Sequence, residues 1–147
     1  PQHFEKTKFI TEVVQKNKGK PTSEISTSDY NGKSVVVTNL TSPNKQFQLY
    51  IDTQGNLSVL DTINKKIKWS SKGLWNTKRV SSPYRVVFQK DGDLLVVGSK
   101  TRPVSFKASN TPQWTFVKGQ APYLLTLDNN GGITITDANR LVLWFSS

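Results

Sequence analysis

Gln89, Asp91 and Asp93 occupy alternate positions in the segment QKDGDLLVV, and Leu95 and Val97 follow at the same spacing. On an extended strand successive side chains point to opposite faces, so these five are expected along one face, polar end first. Such a comb is either solvated surface or a site. Asp91 and Asp93 would then lie about 7 Å apart by strand rise, a spacing that a paired-carboxylate hydrolase could use. QKDGD also resembles the opening of a calcium loop, but the later acidic ligands of that loop are absent.

The rest of the chain adds little that could catalyse. His3 is the sole histidine, Glu5, Glu12 and Glu24 all precede the repeats described below, and there is no cysteine. No Ser–His–Asp set and no His- or thiolate-based metal site can be assembled, so neither an enzyme, a metal nor a cofactor is expected. A different chemistry is offered by NKKIKWSSKGLWNTKR, which gathers Lys65, Lys66, Lys68, Lys72, Lys78 and Arg79 around Trp69 and Trp75. With Trp69 read as core, Trp75 is the ring left for a partner. The formal net charge is +10, which attracts anionic protein, lipid or polyanionic glycan through long-range fields, though the same lysines also serve as solvated loops. No recognised nucleic-acid motif accompanies them, so no specific nucleic acid is expected.

What positions these residues is a threefold internal repeat. The copies are QFQLYIDTQGNLSVLD from Gln46, PYRVVFQKDGDLLVVG from Pro83 and PYLLTLDNNGGITITD from Pro122. Each has an aromatic in second place (Phe47, Tyr84, Tyr123) and a glycine in tenth (Gly55, Gly92, Gly131). A further aromatic follows each glycine by 13 or 14 residues: Trp69, Phe106 and Trp144. Short alternating or apolar runs separated by Gly-containing turns predict strand, turn, strand, turn, strand in every copy. An all-β fold with threefold period is a β-prism of three four-stranded antiparallel sheets or, alternatively, a β-trefoil. Trp69, Phe106 and Trp144 are assigned to a core layer near the pseudo-threefold axis.

Residues 29–147 hold the repeats, and residues 1–28 read as an N-terminal arm or linker. Within the arm, Phe9, Ile10, Val13 and Val14 fall at helix-like spacing, so a short helix is one expectation there. No apolar run approaches the ~20 residues of a membrane-spanning helix.

The segments SPNKQFQLYIDTQGNLSVLD, IKWSS, YRVVFQKDGDLLVVGS, YLLTLDNNGGITITD and LVLWFSS resemble the bulb-type, monocot mannose-binding lectin domain, over roughly Asp29 to Ser147. The resemblance implies a β-prism of three four-stranded sheets. It also implies a sugar site in each copy with the pattern Q-x-D-x-N-x-V-x-Y, whose amide and carboxylate groups hydrogen-bond mannose hydroxyls. Carried over residue by residue, the middle copy keeps Gln89 and Asp91, and has Asp93 for Asn, Leu95 for Val and Val97 for Tyr. The first copy offers Asp52, Gln54, Asn56, Ser58 and Leu60, where Asn56 alone matches. The last copy has Asp128, Asn130, Gly132, Thr134 and Thr136, with no match. Each missing hydrogen-bond partner costs a hydroxyl site roughly 1–3 kcal/mol, so the middle copy is the site expected to survive, with mannose-type or altered specificity.

Two functional expectations result. One is a carbohydrate-binding, lectin-like module whose partners are glycans or glycoproteins. The other is a basic prism scaffold that binds a protein or polyanion and has lost its sugar sites. The resemblance also implies that the last strand, LVLWFSS, can be exchanged between copies to form a homodimer. Asn39-Leu-Thr and Asn56-Leu-Ser are glycosylation sequons, and a secreted or extracellular location is expected over a cytoplasmic one.

Overall fold

A computed structural model of the chain describes residues 5–6, 13–15, 20–30, 33–72, 83–98, 104–107 and 119–146. In chain order the strands are β1 (Glu5–Lys6), β2 (Val13–Gln15), β3 (Glu24–Ser26), β4 (Ser34–Val36), β5 (Phe47–Ile51), β6 (Leu57–Asp61), β7 (Lys66–Ser70), β8 (Tyr84–Phe88), β9 (Leu94–Gly98), β10 (Val104–Lys107), β11 (Leu124–Leu127), β12 (Ile133–Thr136) and β13 (Val142–Phe145). A single 3₁₀ turn spans Thr27–Tyr30, and no α-helix occurs among the described residues.

Each repeat folds into one antiparallel meander: β5-β6-β7, β8-β9-β10 and β11-β12-β13. The three meanders are the three faces of a β-prism, as expected from the period, and no β-trefoil is formed. Registers show how closely the copies correspond. Leu49 pairs with Val59 and Val59 with Trp69. Val86 pairs with Val96 and Val96 with Phe106. Leu125 pairs with Ile135 and Ile135 with Trp144. Each face therefore carries one cross-strand row of two aliphatics and an aromatic, the unit by which a sheet packs its buried side. The aliphatic members of these rows are buried in a common core. Trp69 and Trp144 meet edge to face, with ring centroids 6.0 Å apart and planes at 71°, an arrangement that ring quadrupoles favour. The side chain of Phe106 lies outside the described residues.

One stretch of chain, residues 22–42, supplies the outer strand of all three faces in turn. First β3 pairs with β11, then β4 with β8, and finally Thr41 makes an antiparallel bridge to Gln48 of β5. The third contact is only a bridge for a local reason. Asn39 has a left-handed backbone (φ 54°) just before it, and Pro43 just after it has no N–H to give a ladder. The sheets are accordingly unequal, with six strands in the order β1-β10-β9-β8-β4-β2, four in β13-β12-β11-β3, and three in β5-β6-β7.

The N-terminal residues correct one expectation. Where the predicted helix over Phe9–Val14 is described, at Val13 and Val14, the chain is strand: β2 lies parallel to β4, with Val14 opposite Val35. β-branched side chains lose rotamer freedom in a helix and pack well on a pleated sheet, and the open edge of β4 supplies the partner. Phe9 and Ile10 lie outside the described residues.

The conserved spacing between aromatic and glycine within each copy has a physical cause across copies. Gly55, Gly92 and Gly131 all have positive φ, at 85°, 90° and 84°, and each closes the first hairpin of its meander. A methyl built on Gly131 would come within 3.0 Å of Phe47 Cδ1 and 2.9 Å of Lys68 Cγ, and one on Gly92 within 3.1 Å of the Tyr123 ring. The ring of one repeat thus sits on the bare turn of another. Gly131→Ala and Gly92→Ala are each expected to destabilise by roughly 1–2 kcal/mol for the left-handed backbone alone, more for Gly131 where backbone strain and overlap coincide. Gly132→Ala, at a position with negative or extended φ, is expected to cost less. Urea melts of the three variants check the order.

Candidate functional site

The middle copy's five site positions do not form a comb on one strand. Gln89 follows β8, Asp91 stands in the turn, and Asp93 precedes β9. The Gln89 N–H donates to Asp93 O (2.8 Å) and the Gly92 N–H to Gln89 O (2.9 Å), which folds the segment into a tight hairpin turn instead of an extended run. Asp91 Oδ1 accepts the Asp93 N–H at 3.0 Å. Gln89 and Asp93 are 8% and 6% exposed, whereas Asp91 is exposed. Leu95 and Val97 lie further along in β9, paired across the ladder with Val87 and Arg85. The strand-rise spacing between Asp91 and Asp93 does not apply across such a turn.

The same turn occurs in the other two copies, with a different residue at its head. Asp52 Oδ1 accepts from the N–H groups of Gln54 and Asn56, both at 2.8 Å, while Oδ2 accepts from the Asn56 side-chain amide at 3.0 Å. Asp128 Oδ1 likewise accepts from Asn130 and Gly132 N–H. Asp and Asn side chains favour such turns because they replace backbone acceptors locally. The side chains of Asp52, Asn56 and Asp128 are thus engaged in holding their own hairpins. Asn56, 8% exposed, is also a poor acceptor for an N-linked glycan.

Two further carboxylates cap the second hairpins. Asp61 accepts from the N–H groups of Asn64 and Ile63 and from the side-chain amides of Asn64 and Gln46. The Asn64 bonds lead in holding its carboxyl down at about 2, against a burial effect of opposite sign. Asp137 is lowered chiefly by the Gln120 and Leu141 N–H groups. At Asp52 burial pushes the carboxyl up, but the bonds from Asn56 and Gln54, together with the charge of Lys72, outweigh it and leave a net lowering.

Tyr123, which sequence reading assigned only to the repeat pattern, lies against the middle turn. Its ring covers Gly92, and its hydroxyl donates to Gly119 O at 2.8 Å. Burial first, and then the charges of Asp91, Asp137 and Asp93, raise its phenol above the ordinary value.

Of the predicted basic patch, Lys65, Lys66, Lys68 and Lys72 are exposed on or beside β7, an edge strand of its sheet. Ile63 and Ile67 are 66% and 47% exposed among them. Trp75, Lys78 and Arg79 lie outside the described residues. No group of three or more His, Asp or Glu among the described residues is placed to hold a metal ion.

A concave feature, unforeseen from sequence, lies at the other end of β8 from the middle turn. It is a cleft of about 340 Å³ where the chain passes from β4 to β5, lined on its polar side by Thr38, Asn39, Tyr50, Tyr84 and Arg85.

No family model matches the chain, and no curated protein matches it. Solved structures do. A Japanese Marasmius oreades lectin is 18% identical, with 92% of this chain and 95% of that one covered at a TM-score of 0.56. Novel monomeric monocot mannose-binding lectins from Gastrodia elata are 21% identical, with 86% and 97% covered at the same TM-score. At these identities the likeness establishes a shared fold, the β-prism of lectins.

Carboxyls whose folded values are depressed stabilise the fold above their ordinary value near 3.8 and lose that contribution as pH falls through the folded one. Thermal stability is therefore expected to hold from neutral pH to about pH 5 and to fall between about pH 4 and 2. Asp61→Asn should lower stability at pH 7 and flatten this acid limb. An unchanged acid limb in melts from pH 7 to 2 would remove Asp61 from the account.

Proposed function

We propose that the protein is a carbohydrate-binding, lectin-like module whose principal site is the middle hairpin turn. The observation that carries this reading is the whole-chain fold shared with two lectin structures, 95% and 97% of whose chains are covered. The local chemistry favours the middle copy. Where the first and last copies place an aspartate at the head of the turn and use its carboxylate on backbone N–H groups, the middle copy has Gln89. Its carboxylate moves to Asp91, exposed on the turn, where a sugar hydroxyl can donate to it. The Asp93 side chain has no amide hydrogen to donate where the full pattern has Asn, so the preferred sugar differs from that of a site with the full pattern.

A second reading is favoured by the exposed Lys65, Lys66, Lys68 and Lys72 beside Ile63 and Ile67, a basic strand with apolar punctuation suited to an acidic protein or a polyanion. Salt separates the two, because attraction to a polyanion falls steeply with ionic strength while hydrogen-bonded recognition of a neutral sugar does not.

A glycan array with mannosides beside sulfated and sialylated glycans, read at low and high salt, is the test. Salt-resistant binding to a neutral glycan, weakened at least tenfold by Asp91→Ala, is the expected outcome. Binding that is only salt-sensitive and indifferent to Asp91 would instead place the function on the basic strand.

A further inference from the structure

The cleft beside Arg85 is built from segments that the repeat pattern does not unite. Val36 to Leu40 form one wall as the chain leaves β4, the Val37 N–H bonding Val86 O (2.8 Å) and the Leu49 N–H bonding Leu40 O (2.9 Å). Asn39 turns the corner between the two sheets with φ 54°, and its carbonyl accepts the Thr22 N–H and the Thr41 hydroxyl. These bonds fix the wall. The opposite wall is β5 and β8, which bring Tyr50, Tyr84 and Arg85 to the same opening over an aliphatic floor.

The polar groups at this opening differ from those of the turns. Every turn carboxylate described above is engaged by its own hairpin. By contrast, among the described residues no hydrogen bond or ion pair engages the Arg85 guanidinium, the Tyr50 hydroxyl or the Asn39 side-chain amide. All three are half-buried. A guanidinium partly withdrawn from water with no counter-charge is costly unless a ligand supplies one, and its planar fork matches a carboxylate or sulfate in two parallel bonds. The tyrosines offer flat apolar surface for the C–H face of a sugar ring, and the Tyr50 hydroxyl and Asn39 amide add donors and acceptors for ring hydroxyls. The volume falls at the lower end of the ~300–1,000 Å³ range of small-ligand sites.

We propose that this cleft binds an acidic sugar residue, a uronate, sialate or sulfated saccharide, with Arg85 on the anionic group and Tyr50 and Tyr84 against the ring. The inference rests on the carbohydrate-binding reading above and extends it. Arg85 is the cross-strand partner of Val97, the last position of the middle copy's pattern. It lies four residues from Gln89, or roughly 13 Å along the strand. An oligosaccharide of a few units can therefore engage the middle turn with a neutral residue and the cleft with an acidic one.

The test is titration of the whole chain, followed by amide chemical shifts and calorimetry. The ligands are a glucuronate-containing oligosaccharide, the same oligosaccharide with its carboxyl reduced to an alcohol, a sulfated counterpart, and polyglutamate as a sugar-free polyanion. The acidic sugars are expected to bind at least tenfold more tightly than the reduced one and to shift the amides of residues 38–40, 50 and 84–86. Arg85→Gln should erase that preference, Arg85→Lys should restore part of it, and Lys66→Gln/Lys68→Gln should leave it intact, all at unchanged melting temperature. The two acids then show which anion the cleft prefers. Equal binding of acidic and reduced sugars would overturn the cleft while leaving the lectin reading in place. Loss of the preference in the lysine variant instead, or polyglutamate shifting the same amides as strongly, would also overturn it. Silence toward every sugar would overturn the lectin reading itself.

Discussion

The architecture depends on an aromatic ring of one repeat lying on a glycine of another. A three-stranded meander buries one face and leaves the other open, and it is marginal by itself. Three meanders become one domain only if their edges are fastened together. Phe47 of the first repeat covers Gly131 of the last, and Tyr123 of the last covers Gly92 of the middle. The glycine satisfies two demands at once, a left-handed backbone for the turn and no side chain under the ring. Either demand alone would tolerate some substitution; both together do not. A polar tie reinforces the first of these seams, where Asn129 Oδ1 accepts the Asn44 N–H at 2.8 Å.

Fastening the turns in this way limits what they can bind. A turn held rigid under a neighbouring ring needs its backbone N–H groups satisfied, and the nearest acceptor is the side chain at its head. Asp128 serves that need beneath the Phe47 ring and Asp52 caps the first turn by the same bonds, and a carboxylate with its lone pairs directed at backbone donors is a weaker acceptor for a ligand. The middle turn distributes the same roles differently. Gln89 heads it, and Asp91 accepts the Asp93 N–H while its side chain remains exposed. Divergence between the copies can thus be understood as a choice, made separately at each turn, of which side chain caps its backbone N–H groups.

This also explains which features were legible in the sequence. The threefold period, the meanders and the core rows follow from spacings that survive in every copy, and pairings such as Val59 with Trp69 and Ile135 with Trp144 are where those spacings place them. Alternation alone predicts a comb at Gln89–Asp93, but the DG pair within it marks a turn instead. A left-handed Gly92 ends the extended run, and alternate residues around a turn do not share a face. The N-terminal strands carry too few residues for any period to show. At Val13 and Val14 an apolar pair reads equally as helix or strand, and the open edge of β4 decides it. The cleft was invisible for a related reason. Its walls come from residues 36–40, β5 and β8, and no single segment contains its chemistry.

The position of the cleft follows from the path of the N-terminal segment. A prism of three identical repeats would have three equivalent seams, but residues 22–42 visit the faces in succession and cross between them only twice. The first crossing, from β3 to β4, begins with the compact 3₁₀ turn Thr27–Tyr30, whose Thr27 hydroxyl accepts the Tyr123 N–H at 2.8 Å. The second, from β4 to the bridge at Thr41, is an extended corner made by one left-handed asparagine, and an extended chain spans the gap without filling it. Threefold symmetry in the repeats and asymmetry in the strand that binds them together therefore coexist. The asymmetric seam is where, among the described residues, no hydrogen bond or ion pair engages the half-buried Arg85 guanidinium, so a fold built from repetition carries a feature that its repeats do not share.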